Sequence, residues 1–60
     1  MMLVKIQDIY LNPEHVVAVE ESAIVGVTRI TVSYGQTRRE YQTHLSPAVV
    51  VELLKQRRSA

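Results

Sequence analysis

Sixty residues make one domain near the lower size limit for independent folding, and with no cysteine in the chain disulfides and thiolate metal sites are excluded as supports. Association is the remaining aid to stability. A formal net charge of +1 removes any strong overall pull toward nucleic acid or an anionic membrane. No apolar run approaches the roughly 20 residues of a membrane span, and the first residues lack a signal-peptide pattern, so a soluble cytoplasmic protein is expected.

The first predicted strand covers Leu3 to Gln7, with Val4 and Ile6 on one side and Lys5 and Gln7 on the other. Asp8 interrupts it, and Ile9-Tyr10-Leu11 is expected to resume it. Asn12-Pro13-Glu14-His15 is a turn: Asn bonds its own backbone, and Pro presets φ for the first turn position. Val16 to Glu20 is then a strand with apolar residues on both faces, so it should be central or covered from outside the monomer. Ala23 to Val27 has no clear path. From Val27 to Thr43 the pattern is a hairpin around Gly35-Gln36. If those two residues form the loop, Tyr34 pairs with Thr37, and parity sets the remaining partners. One face then carries Val32/Arg39, Ile30/Tyr41 and Thr28/Thr43 and should be core. The other carries Ser33/Arg38, Thr31/Glu40 and Arg29/Gln42 and should face solvent. Arg39 is the exception on the core face.

The last element is a helix over about residues 46–57. Ser46 is a good N-cap, Pro47 stands at the first helical position, and Leu45 can staple onto Val50. Lys55, Arg57 and Arg58 are near the C-terminus, where the helix dipole favours cations. At about 100° per residue, Val49, Leu53, Val50, Leu54 and Val51 spread over roughly 200°, about twice the stripe that one small sheet covers. Either a short curved sheet wraps the helix or a second copy covers the excess, and the second reading is preferred. The expected fold is α+β: a small antiparallel sheet of three to four strands followed by one C-terminal helix, completed by oligomerisation. The expected interface comprises Val16, Val17 and Val19 from the doubly apolar strand, with Val50, Val51 and Leu54 from the helix.

Reactive constellations are missing from the sequence. Gly26 and Gly35 are the only glycines, so there is no phosphate-cradling loop. None of Ser22, Ser33 and Ser46 has a nucleophile-elbow context. His15 and His44 have no neighbour at metal-ligand spacing, although zinc bridging between subunits stays open. No cofactor, no metal and no enzymatic activity are expected. The basic residues have an ordinary explanation as a solvated face and a dipole-matched helix end. Their functional reading is anion or partner binding: Arg29, Arg38 and Arg39 on the hairpin, and Arg57 and Arg58 at the helix end, would clamp a phosphate, a nucleic-acid backbone or a partner carboxylate through forked hydrogen bonds.

The layout Tyr10-Leu11-Asn12-Pro13-Glu14-His15-Val16-Val17-Ala18-Val19-Glu20, then Ile30-Thr31-Val32-Ser33-Tyr34-Gly35, then a strand and a capped helix, resembles the small FlbD family of flagellar-operon proteins. Lys5-Ile6-Gln7-Asp8 stands where that family has Asn-Gly, and the segment after Glu20 departs from its Pro-Asp-Thr. The resemblance implies a cytoplasmic, non-enzymatic accessory to motility with no catalytic residues to carry over. Four functions follow for testing. First is a homo-oligomeric module that captures a protein partner. The others are an oligomer sequestering a small anionic ligand such as a nucleotide, a nucleic-acid-binding regulator, and the FlbD-like accessory.

Overall fold

The computed structural model describes residues 3–58, with side chains described for residues 3–56. The elements are β1 (Val4–Ile6), β2 (Ile9–Leu11), a 3-10 turn (Pro13–His15), β3 (Val16–Glu21), β4 (Thr28–Tyr34), β5 (Thr37–Thr43) and α1 (Pro47–Arg58). The class is α+β, and the strands divide into two antiparallel sheets, β1–β2 and β3–β4–β5.

Ile9-Tyr10-Leu11 does not continue the first strand. It returns against it, with Ile6 opposite Ile9 and Val4 opposite Leu11. The reversal occurs at Gln7-Asp8, where Gln7 adopts φ 53°. A left-handed glutamine is not a turn signature, and the sequence therefore carries no warning of the hairpin. The Asn12 turn forms as its chemistry requires. The Asn12 Oδ1 accepts the Glu14 N–H at 3.0 Å, and the Asn12 carbonyl accepts from His15 N–H at 3.0 Å.

The β4–β5 hairpin has the expected register throughout, from Tyr34 opposite Thr37 to Thr28 opposite Thr43. Gly35, at φ 61°, supplies the left-handed residue that the two-residue loop needs. Thr28, Ile30 and Val32 are buried on the inner face. Arg39 has the register of that inner face, opposite Val32, but it is exposed. β5 is an edge strand, and its inner face is only partly covered, so the charge reaches solvent without a buried partner.

β3 is the other edge of the sheet, not its centre. Val16 pairs with Val32 and Val19 with Ile30, and the register shifts between Val16 and Ala18. Val16 and Val19 are three residues apart yet both lie opposite inward-facing residues. Regular alternation forbids that arrangement, and the extra residue of a β-bulge at Val17 permits it. The doubly apolar appearance of the strand thus has a local cause.

The helix start matches its sequence signals: the Ser46 Oγ accepts the Val49 N–H at 3.3 Å, and the Ser46 carbonyl accepts from Val50 N–H at 3.0 Å. The junction into it is held from two sides. Thr28 Oγ1 donates to the Leu45 carbonyl at 2.6 Å, and Thr43 Oγ1 accepts the Leu45 N–H at 3.3 Å. Replacing Ser46 with alanine should cost about 1 kcal/mol in a urea titration, while Ser46→Asp should retain most of that stability. The core joins all layers: Val4, Ile6 and Leu11 from the first hairpin, Ile30 and Val32 from β4, and Val50 and Leu54 from the helix. Val50 (0% exposed) and Leu54 (7% exposed) are therefore the chain's own core and are removed from the expected interface.

Candidate functional site

The apolar arc of α1 divides into three parts. Its middle, Val50 and Leu54, is buried, and Leu53 packs beside it. Its two shoulders emerge on opposite sides of the helix, with Val49 44% exposed and Val51 41% exposed. The Val51 shoulder flanks β3. A groove of about 300 Å³ there is lined by Val16, Val17, Ala18 and Val19 from the strand and by Val51, Leu54 and Lys55 from the helix. The strand surplus and one shoulder of the helix surplus thus share a single surface.

The rim of this groove is an open sheet edge. Among the described residues, no strand pairs with the outer side of β3. The Ser22 N–H donates to the Val27 carbonyl at 2.9 Å, which marks that pair as hydrogen-bonded. Antiparallel pairs alternate between bonded and non-bonded. Glu20/Arg29 and Ala18/Thr31 are then bonded inward, while Val19 and Glu21 turn their backbone N–H and C=O groups outward. A free edge beside apolar side chains is a template for another strand. Val17, 56% exposed, stands on the same rim. Charge is distributed unevenly along it. Glu21 is at one end of β3, near Pro47 at the helix start, whereas Lys55 is at the other end, near Val16 to Val19. The helix therefore runs antiparallel to β3. Among the described residues, neither Glu21 nor Lys55 has an ion-pair partner.

Of the expected interface residues, Val16, Val17, Val19 and Val51 meet at this groove, and the buried Leu54 also lines it. Glu21 and Lys55 were outside the expected set. Their signal was present only as a helix cation one turn after Val51 and a carboxylate at the end of an apolar strand.

The arginines are not brought together. Arg29 Nη2 bonds the Glu20 Oε1 at 3.2 Å across the β3–β4 pair, so its charge is already matched. Arg38 shares that outer face but is opposite Ser33, four residues along β4 from Arg29, or about 13 Å at strand rise. Arg39 points to the other face of the sheet. The side chains of Arg57 and Arg58 lie outside the described residues. No common anion clamp forms from Arg29, Arg38 and Arg39.

The serine hydroxyls and the His15 ring have structural partners. The Ser46 Oγ caps the helix, the Ser22 Oγ accepts the Ile24 N–H at 3.1 Å, and Ser33 Oγ donates to the Gly35 carbonyl at 3.5 Å. The His15 ring lies 4.8 Å from that of Tyr34, and the His44 backbone N–H donates to the Gln7 Oε1 at 2.8 Å. A second hollow of about 340 Å³ lies between the 22–27 loop and the helix start, with Glu21, Ile24, His44 and Pro47 on its walls. Its hydroxyls, those of Ser22, Thr28 and Ser46, are the ones already engaged with backbone. Among the described residues, no group of three or more His, Asp or Glu side chains could hold a metal ion. Among the described residues, no helix is long and apolar enough to cross a membrane. Comparison with family models, with curated proteins and with solved structures gives no match for this chain.

Proposed function

We propose that the chain is a non-enzymatic, cytoplasmic binding module that assembles with copies of itself and captures another protein. The observation that carries this reading is the convergence of an open β3 edge, the exposed Val17 and the Val51 shoulder on one groove. An exposed apolar surface beside unpaired strand groups gains free energy when it is covered. A small domain without disulfides benefits from such cover more than a large one. The local backbone roles of the serine hydroxyls support the non-enzymatic part, because each is committed to a cap or turn. The FlbD resemblance is compatible with it, since it too implies an accessory without catalysis. The opposite helix shoulder, with Ala48, Val49 and Leu53, lies outside this groove and offers a second apolar surface for a different protein.

Sedimentation from low to high micromolar concentration tests the reading. The wild-type chain should associate, and Val17→Lys should weaken association about tenfold or more by placing a charge in the covered groove. A chain that stays monomeric at high micromolar concentration overturns it.

A further inference from the structure

We propose that the groove is filled by a second copy of the chain whose β3 pairs antiparallel with this β3 about a two-fold axis at Val19, with Lys55 of each copy meeting Glu21 of the other. The proposal rests on the self-assembly reading above and specifies its geometry.

A two-fold axis through an antiparallel strand pair places one residue opposite itself. The axis can pass through a hydrogen-bonded pair, at Val19 or Glu21, or through a non-bonded pair, at Ala18 or Glu20. Axes at Glu20 and Glu21 oppose two carboxylates and are disfavoured, and an axis at Ala18 would set Val19 opposite Val17, where the bulge interrupts regular pairing. With the axis at Val19, the two valines exchange backbone hydrogen bonds, and position 21 of each strand falls opposite position 17 of the other. Glu21 is opposite buried Thr28 and Val19 opposite buried Ile30, so both side chains are on the helix side of the sheet. The partner's Glu21 then arrives beside the Val17 end of the groove, where Lys55 is one of the lining residues. This complementarity follows from the antiparallel course of α1 and β3, which puts Lys55 beside the Val16–Val19 part of β3 and Glu21 at the other end of the strand. The same axis turns the two Val51 shoulders toward each other and joins two three-stranded sheets into one of six strands. Each copy closes the other's free edge.

Charge exchange followed by sedimentation is the test, with each variant's fold checked by circular dichroism. Both side chains are exposed and unpaired among the described residues, so the single variants should fold. Every substitution counts twice at a two-fold interface. Glu21→Lys and Lys55→Glu should each raise the dimer dissociation constant about tenfold or more, and the double variant should return to within about threefold of wild type. Glu21→Gln should weaken the dimer less than Glu21→Lys. A wild-type dimer indifferent to the single exchanges, or one weakened by both and not restored in the double variant, overturns this register while leaving self-assembly intact. A monomeric wild type overturns both, and leaves the groove to an extended segment of another protein.

Discussion

Leu54→Ala is expected to remove about 2–5 kcal/mol of stability, the cost of deleting a buried leucine and leaving a cavity. A 60-residue domain has roughly 3–9 kcal/mol in total. The variant should therefore be largely unfolded, or should unfold at a much lower urea concentration than wild type. The cause is its place in the fold. Leu54 is 7% exposed and joins Val50 in the core, which also takes Ile6, Leu11 and Ile30 from three different strands. Val51, the next shoulder residue, provides the contrast. Val51→Ser should change the stability of the dilute monomer by only about 0.5 kcal/mol, as at an ordinary surface position. Its effect should instead appear in association. Urea unfolding of both variants at low protein concentration, followed by sedimentation of Val51→Ser, separates core from interface. If Leu54→Ala retained wild-type stability while losing association, Leu54 would belong to the interface.

That contrast shows where residue patterns suffice and where they do not. The hairpin register from Thr28 to Thr43 was legible because Gly35 marks the loop and a period of two propagates every pair from it. The helix start was legible because Ser46, Pro47 and Leu45 act within one turn of chain. The excess width of the helix arc was legible too. Its division was not, since the choice of Val50 and Leu54 as the centre depends on where β1 and β3 lie. Two features were hidden because the residues that make them are unspecific. A bulge at Val17 shifts the phase of β3 without a glycine to announce it, so a bulged edge strand looked like a central one. Gln7 takes a left-handed conformation without being Gly or Asn, so a hairpin looked like an interrupted strand. Arg39 shows a third limit. Alternation assigns its face correctly, but whether that face is covered depends on elements far away in sequence.

Gln7 is also where the largest effect from a surface side chain is expected. Its Oε1 accepts two hydrogen bonds, from Thr43 Oγ1 and from the His44 N–H. It thereby ties the tip of the first hairpin to the end of β5, immediately before the helix. Water can replace the bond to His44, which is exposed. It cannot easily replace the bond to Thr43, which is 1% exposed. Gln7→Ala should therefore cost about 2–3 kcal/mol, the sum of the lost bonds and a buried hydroxyl proton left without an acceptor. Gln7→Gly loses the same bonds but suits φ 53°, and should be less damaging by about 1 kcal/mol. Thr43→Val removes the hydroxyl proton that Gln7→Ala leaves without an acceptor, together with the bond from the Leu45 N–H. The double variant should then lose less than the two single losses added together, because the two residues act as one unit. Urea unfolding of the four proteins decides this. Strict additivity would show that Gln7 does not act through Thr43, and Ala and Gly of equal stability at position 7 would show that its left-handed φ carries no cost. Coupling would show that Gln7 and Thr43 stabilise the fold as a pair, so that the tip of the first hairpin is tied energetically to the end of β5 just before the helix.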